Sequence, residues 1–277
     1  MFTKGALNFV TPNQLLAFRF TIAALVMTLL RALRLIKIEL RGRAIKGVLL
    51  LALVQPVLYF CCETTGVNLT TSSEAGLMIA LIPVFVTVLA ALTLKEIPTP
   101  HQLFFIFLSV AGVVLIVSGG EGIEGSGHTF GLLALLGAVL AAAVYDILSR
   151  WLSTQFRPVE ITFVMMWFGA LFFDAAVLIE LWQKGEPLHL LALLQVKEVW
   201  SALLYLGIFS SIIAFFCTNY ALSQIEASRA AVFANLSTII SVVAGITFLG
   251  EPFYSYHLAG GGLILLGVWG TNRFGRG

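Results

Sequence analysis

The sequence predicts an all-α polytopic membrane protein. Its plan is two inverted five-helix repeats, a ten-helix fold whose first helix is truncated here, so that about nine full spans remain. Three observations carry this expectation. Of 277 residues, 59% are hydrophobic and only 11% charged, with a mean hydropathy of +0.99; a soluble domain carries about 25% charged residues. Apolar runs long enough to cross a bilayer recur along the whole chain. The second half also repeats the first at an offset of 155 residues.

A membrane helix needs about 20 predominantly apolar residues. Runs of that kind fall near 13–33, 47–68, 74–94, 101–118, 129–149, 159–182, 199–222, 228–249 and 256–271. Pro12-Asn13, Ser72-Ser73, Pro98-Thr99-Pro100, Pro158 and Glu251-Pro252 stand at their ends, as helix start and stop chemistry requires. The polar start before the first run is short and leads straight into further spans, so no cleaved leader is expected.

The repeat reads as follows. Phe60-Cys61-Cys62 returns as Phe215-Phe216-Cys217, Ser73-Glu74-Ala75 as Ser228-Arg229-Ala230, and Gly112-Val113 as Gly267-Val268. Between Tyr59/Ala214 and Val114/Trp269, 12 of 56 gapless pairs are identical, too few to decide alone. The argument rests on where the repeat falls, on spans of opposite orientation. The halves are residues 1–120 and 129–277, joined by a hinge at 121–128. Upstream, Val10-Thr11-Pro12 matches Phe156-Arg157-Pro158 at an offset of 146. The run 129–149 then maps onto positions before Met1, and the expectation is that about 15–25 residues, most of one helix, are absent. A nine-span protein with its N-terminus outside is the alternative.

Basic residues set the orientation. With the loop after the first run placed inside, twelve Lys and Arg fall inside, from Arg31 to Arg276. Only Lys4, Lys184 and Lys197 fall outside, and Arg19 lies within a span. The C-terminus is therefore expected in the cytoplasm of a bacterial cell, with the protein in its cytoplasmic membrane. The net charge of +2 says little; no nucleic-acid partner is expected, and the lipid bilayer is the first partner.

Polar residues recur at helical spacing on the spans. Gln55, Tyr59, Glu63 and Gly66 form one stripe; Ser210, Thr218 and Ala221 are their counterparts. Ser73, Gly76, Ala80, Pro83 and Thr87 line the next span, and its mate carries Ser228, Ala231, Asn235, Thr238 and Gly245. Two readings stand side by side: small and polar residues that let helices pack, or a cavity that contacts a solute. Gln55, Tyr59, Glu63, Thr218, Asn235, Thr238 and Tyr145 are the cavity candidates. Ionisable groups within spans are costly and default to function. Glu63, Asp146 and Asp174 are therefore candidates for proton coupling. For Asp146 a structural pairing with Arg150 competes, and Asp174 needs a partner. Arg19 is expected to satisfy backbone carbonyls or to snorkel outward. Pro83 breaks its helix mid-span and is a candidate gating hinge.

Other chemistries find no support. Cys61, Cys62 and Cys217 lie in apolar runs, and His101, His128, His189 and His257 show no metal-ligand spacing. Tyr145-Asp146 lacks the Gly-x-Gly-Asp partner of an intramembrane aspartyl protease, and Gly125-Ser126-Gly127 lies in a polar loop rather than on a helix top. Without a P-loop lysine motif, ATP-driven transport by this chain is not expected. No metal or cofactor is called for, and the chain does not read as an enzyme.

The twice-repeated Ser-x-Ala, apolar span, Glu, Gly-Val pattern resembles the EamA-like family of the drug/metabolite transporter superfamily. It reads Ser73-Glu74-Ala75, Pro83, Glu96 and Gly112-Val113, then Ser228-Arg229-Ala230, Glu251-Pro252 and Gly267-Val268. Arg19-Phe20 after Pro12 is similar to the family's second helix. The resemblance implies ten helices, a central cavity, and alternating-access export or exchange of small organic metabolites such as amino acids. A proton or a counter-solute would drive it, and a homodimer is compatible. Two departures stand out: the first helix is largely missing, and Thr238 replaces the proline of the first repeat. A lipid-linked carrier or flippase is the alternative within the superfamily; a non-transporting scaffold is the alternative outside it.

Overall fold

The structure, a computed structural model, describes residues 2–40, 45–94, 99–119, 125–185, 197–225, 227, 230, 234–250 and 253–274. Among the described residues every regular element is helical. The helices are α1 (Phe2–Ala6), α2 (Pro12–Ala32), α3 (Lys46–Ala52), α4 (Tyr59–Leu69), α5 (Ser72–Ile79), α6 (Ile82–Leu94), α7 (Pro100–Gly119), α8 (Gly125–Leu152), α9 (Pro158–Lys184), α10 (Lys197–Leu204), α11 (Ala214–Gln224), α12 (Ala234–Leu249) and α13 (Ser255–Arg273). A π segment, Leu53–Leu58, joins α3 to α4, and a second, Tyr205–Ile213, joins α10 to α11.

Among the described residues six stretches are long and apolar enough to cross a membrane: Pro12–Ala32, Lys46–Leu69, Ser72–Thr93, Gly127–Leu152, Pro158–Lys184 and Val199–Gln224. Each coincides with a run read from the sequence, and Pro100–Ile116 is a shorter apolar helix. Large apolar side chains on these helices stay exposed, Trp182 at 83% and Phe107 at 70% among them. Water would penalise such faces, whereas lipid does not.

The chain forms two compact units. The α2 unit holds Phe2–Phe60 and Leu148–Gln224; the α7 unit holds Cys61–Ile147 and Ile225–Gly277. Each therefore draws on both halves of the sequence.

In the α2 unit, α2 and α9 start alike. Thr11 caps α2, its hydroxyl accepting from the Gln14 N–H at 3.3 Å while Gln14 Oε1 accepts from the Thr11 N–H at 3.1 Å. At an offset of 146, Glu160 Oε2 accepts from the Arg157 N–H at 2.9 Å. Both helices place proline in the first turn, where its missing N–H costs nothing. They pack against each other through reciprocal pairs. The Thr21 hydroxyl donates to Asp174, at 3.0 and 2.8 Å to its two oxygens, and Trp167 Nε1 donates to the Thr28 hydroxyl at 3.0 Å. At that offset Trp167 is the counterpart of Thr21 and Asp174 of Thr28. Each residue thus meets the other's counterpart, the pattern of a two-fold contact between antiparallel helices. Phe20 stacks on Phe173 at 5.7 Å within the same interface. At one end of the unit Ala6, Val10, Leu15, Val199, Leu203 and Leu206 form an apolar core.

In the α7 unit, α7 and α13 pack by the same rule at the offset of 155. Ser109 Oγ lies 3.4 Å from the carbonyl of Ile264, its own counterpart. A Cβ on Gly112 would stand 2.5 Å from the Gly260 carbonyl oxygen, and one on Gly267 2.5 Å from the Phe105 carbonyl oxygen. Gly260 is the counterpart of Phe105, and Gly267 of Gly112. Glycine permits this backbone approach, and small residues make close packing of membrane helices possible. On α8, Gly131 and Gly137 admit α4 in the same way, against Leu69, Thr70 and Cys62.

Pro83 sits in the first turn of α6, and the helix is interrupted at Ala80–Leu81 just before it. The carbonyl of Pro83 accepts from the Thr87 hydroxyl at 2.8 Å.

Candidate functional site

The span Lys46–Leu69 is broken at Gln55. Pro56 follows, and the residue before a proline is pushed out of the helical region; Gln55 has φ −144° and ψ 113°. The break lies nine residues into the span, about 14 Å along a helix axis, close to the midplane of a hydrocarbon core about 30 Å thick. Gln55 is 6% exposed, and its Oε1 has no hydrogen-bond partner. A buried acceptor left empty costs about 1–3 kcal/mol, a penalty that a ligand or water with an N–H or O–H removes.

The break is walled by α9. A Cβ on Gly169 would come within 2.8 Å of the Pro56 ring and 2.9 Å of the Phe20 ring. Phe60 meets Phe20 edge-on at 5.3 Å and Tyr59 at 4.8 Å. Arg19 projects into this aromatic group, 4.2 Å over the Phe60 ring. It is 4% exposed, so the expected outward snorkel is not what the chain adopts. Hydroxyls within reach explain why: Arg19 Nε donates to Ser211 at 2.7 Å, and a terminal guanidinium nitrogen donates to Ser210 at 2.9 Å.

Both serines belong to the second π segment, Tyr205–Ile213. At the 155-residue offset the first π segment maps inside the second, and Gln55 maps onto Ser210. One member of the pair is engaged by Arg19 and the other keeps an empty acceptor. The two positions are therefore chemically unequal.

Thr218 is exposed on α11. Asp174 is half-buried and receives the Thr21 hydroxyl, which answers the need for a partner. Glu63, Tyr145, Asp146 and Pro83 belong to the α7 unit. Glu63 is half-buried and accepts from the Thr64 hydroxyl at 3.2 Å; Tyr145 and Asp146 are buried, at 1% and 8%. Arg150 donates to the Leu222 carbonyl at 2.9 Å. Asn235 and Thr238 lie on α12, but their side chains fall outside the described residues, as do Glu96, Ser228, Arg229 and Glu251.

Two polar groups escaped the sequence reading. Asn219, fully buried, accepts from the Ser149 hydroxyl at 2.7 Å and donates to the Thr162 hydroxyl at 3.0 Å, tying α8, α9 and α11 together. A lone amide inside an apolar run was the available signal. Glu74, with His128 and His257, forms the second group. There the legible signal was the Thr71-x-x-Glu74 capping box.

The sequence model of the EamA-like transporter family matches residues 1–118 and again 129–273. The chain belongs to the EamA-like transporter family. This EamA-like protein is 37% identical over 273 residues to the uncharacterized transporter YcxC of Bacillus subtilis, covering 98% of this chain and 87% of that one. It is 26% identical to an uncharacterized transporter of Archaeoglobus fulgidus, over 96% of this chain and 90% of the other. A relative from Streptantibioticus cattleyicolor named "Probable terminal-alkyne amino-acid exporter" shares 28% identity over 73% of this chain and 64% of its own. A solved crystal structure matches the fold with a TM-score of 0.72 at 18% identity, over 99% of this chain and 91% of that one. The EamA-like protein is thus a multi-pass membrane transporter, with a small-molecule solute and lipid as its surroundings.

Proposed function

We propose that this EamA-like protein is a secondary transporter that exports or exchanges small organic solutes, amino acids first among them, by alternating access. Its solute meets the broken span at Gln55–Pro56. The observation that carries the reading is the empty, buried Gln55 acceptor at a mid-span helix break. Transporters bind solutes where discontinuous helices expose polar groups near the midplane. Arg19, with Ser210 and Ser211 of Tyr205–Ile213, supplies a polar group, and Tyr59, Phe60 and Phe20 supply apolar surface. The relative named for amino-acid export supports the choice of solute class.

Two inverted repeats, 1–120 and 129–277, underlie the cycle in this reading. The reciprocal pairs of α2 with α9 and of α7 with α13 support it, because each joins antiparallel counterparts. The excess of basic residues in one set of loops supports a cytoplasmic C-terminus in a bacterial cell membrane. Glu63, Asp146 and Asp174 are the candidates for proton coupling, and the interruption before Pro83 supports a hinge role.

The test is counterflow of labelled amino acids in proteoliposomes. Gln55→Leu should lower the initial rate at least tenfold while reconstitution and thermal unfolding stay near the parent's. Gln55→Glu should shift preference toward cationic solutes. A Gln55→Leu protein with parental flux would falsify the assignment.

A further inference from the structure

Glu74 lies in the first turn of α5, 2% exposed, and all four acceptor positions of its carboxylate are taken. Oε2 accepts from the Thr71 N–H and hydroxyl, each at 3.0 Å. Oε1 lies 3.0 Å from His128 Nε2 and 3.1 Å from His257 Nε2. An ionised carboxylate only accepts, and its two oxygens offer about four lone-pair positions. Both Nε2 atoms must therefore carry hydrogen. This carboxylate binds together the starts of α5, α8 and α13, all within the α7 unit.

The two histidines differ in what they can still do. His257 Nδ1 accepts from the Tyr254 N–H at 3.3 Å, closing the cap of α13. That bond and the one to Glu74 assign His257 the neutral Nε2–H tautomer. A proton added to its Nδ1 would displace the cap. His128 is the more open ring, 21% exposed against 2% for His257, and its Nδ1 takes no part in the cluster. Among the described residues the other titratable groups facing the cluster are Tyr256 and Tyr254, whose rings lie 4.3 and 5.7 Å from the His257 ring. Leu69 at the end of α4 and Thr70 just after it lie against Gly131, one turn further along α8.

We propose that Glu74, His128 and His257 form a proton-binding site, with one proton from water taken up at His128 Nδ1 and balanced by the Glu74 carboxylate. No bond of the cluster breaks on uptake. The Nε2–H···Oε1 bond becomes charge-assisted and shorter, so the loaded form ties α8 more firmly to α5 and α13. A cation in the first turn of α8 opposes that helix's dipole. The dipole acts through partial charges, however, whereas the carboxylate is a full charge in hydrogen-bond contact, so the carboxylate dominates. The site is separate from the broken span, and it is tested without any flux measurement.

The test is nitrogen-15 histidine NMR of the whole chain in nanodiscs. Only four rings are present, at positions 101, 128, 189 and 257, and single His→Gln changes assign them. On acidification His128 should pass from the Nε2–H tautomer to the doubly protonated ring. His257 should keep its tautomer. In Glu74→Gln the His128 step should move by at least about tenfold in proton concentration, since an opposite charge in contact is removed. Protonation of His257 before His128, or an unmoved step in Glu74→Gln, overturns the proposal. If Glu74→Gln fails to fold, the parental spectrum decides: an Nδ1–H tautomer on His257 at neutral pH is equally fatal.

Discussion

Replacing Gly112 by alanine tests the close backbone packing of α7 on α13. The added Cβ would stand 2.5 Å from the Gly260 carbonyl oxygen, 2.9 Å from Ile264 Cγ1 and 3.0 Å from the Ile264 nitrogen. Two of these atoms are backbone, so no rotamer change relieves the clash and the helices must separate. Overpacking of this kind costs about 1–3 kcal/mol, here toward the upper end. Alanine recovers about 0.8–1.0 kcal/mol of helix propensity over glycine. A net loss of about 1–2 kcal/mol follows. Gly262→Ala on α13 is the control: nothing lies within 4 Å of its added Cβ, so it should be neutral or stabilising. Reversible unfolding in bicelles, or steric trapping, reads the difference. The two-fold character of the contact adds a sharper demand. Gly267→Ala meets the Phe105 oxygen at 2.5 Å and the Ser109 nitrogen at 2.7 Å, so its loss should match that of Gly112→Ala. The double variant should fall short of the sum by about 0.5 kcal/mol or more, because one separation of the helices serves both. Equal stability of Gly112→Ala and Gly262→Ala, or strict additivity of the pair, refutes the reasoning.

Two further substitutions probe the α2 unit. Asn219→Leu should cost about 1–2 kcal/mol in the same unfolding assay. The Ser149 hydroxyl loses its acceptor, whereas the Thr162 hydroxyl keeps its bond to the Pro158 carbonyl at 2.9 Å; a loss well above that range would mean a larger network than these three helices contain. Thr28→Val should remove the acceptor of Trp167 Nε1 at a cost near the average of about 0.6 kcal/mol for a membrane hydrogen bond. Trp167 fluorescence should shift with it, an unchanged emission spectrum counting against the contact.

The helices were legible because hydropathy is a local property: a run such as 159–182 needs no partner to declare itself, and α9 occupies it. The break at Gln55 was half legible. Its polar stripe singled out Gln55, but the geometry comes from Pro56, whose ring constrains the residue before it. Asn219 was passed over for Thr218 because one residue is a turn of about 100° around a helix. The stripe of Cys217, Thr218 and Ala221 marks a different face from the one Asn219 buries. The histidines looked scattered since positions 128 and 257 are joined only by the fold, through Glu74.

The repeat shows most clearly where sequence stops short. Its offsets name counterparts: Thr21 with Trp167, Gly112 with Gly267. Yet in a two-fold contact a residue off the axis touches the counterpart of a different residue, and the offset does not say which one. That register is decided where backbones come closest, at Gly112 against Gly260 and Gly267 against Phe105. Only there does Ser109 fall opposite Ile264, its own counterpart. A change of register by one helical turn would keep every counterpart and lose every contact. The identities between the halves, few as they are, therefore matter less than the glycines that set how the halves meet.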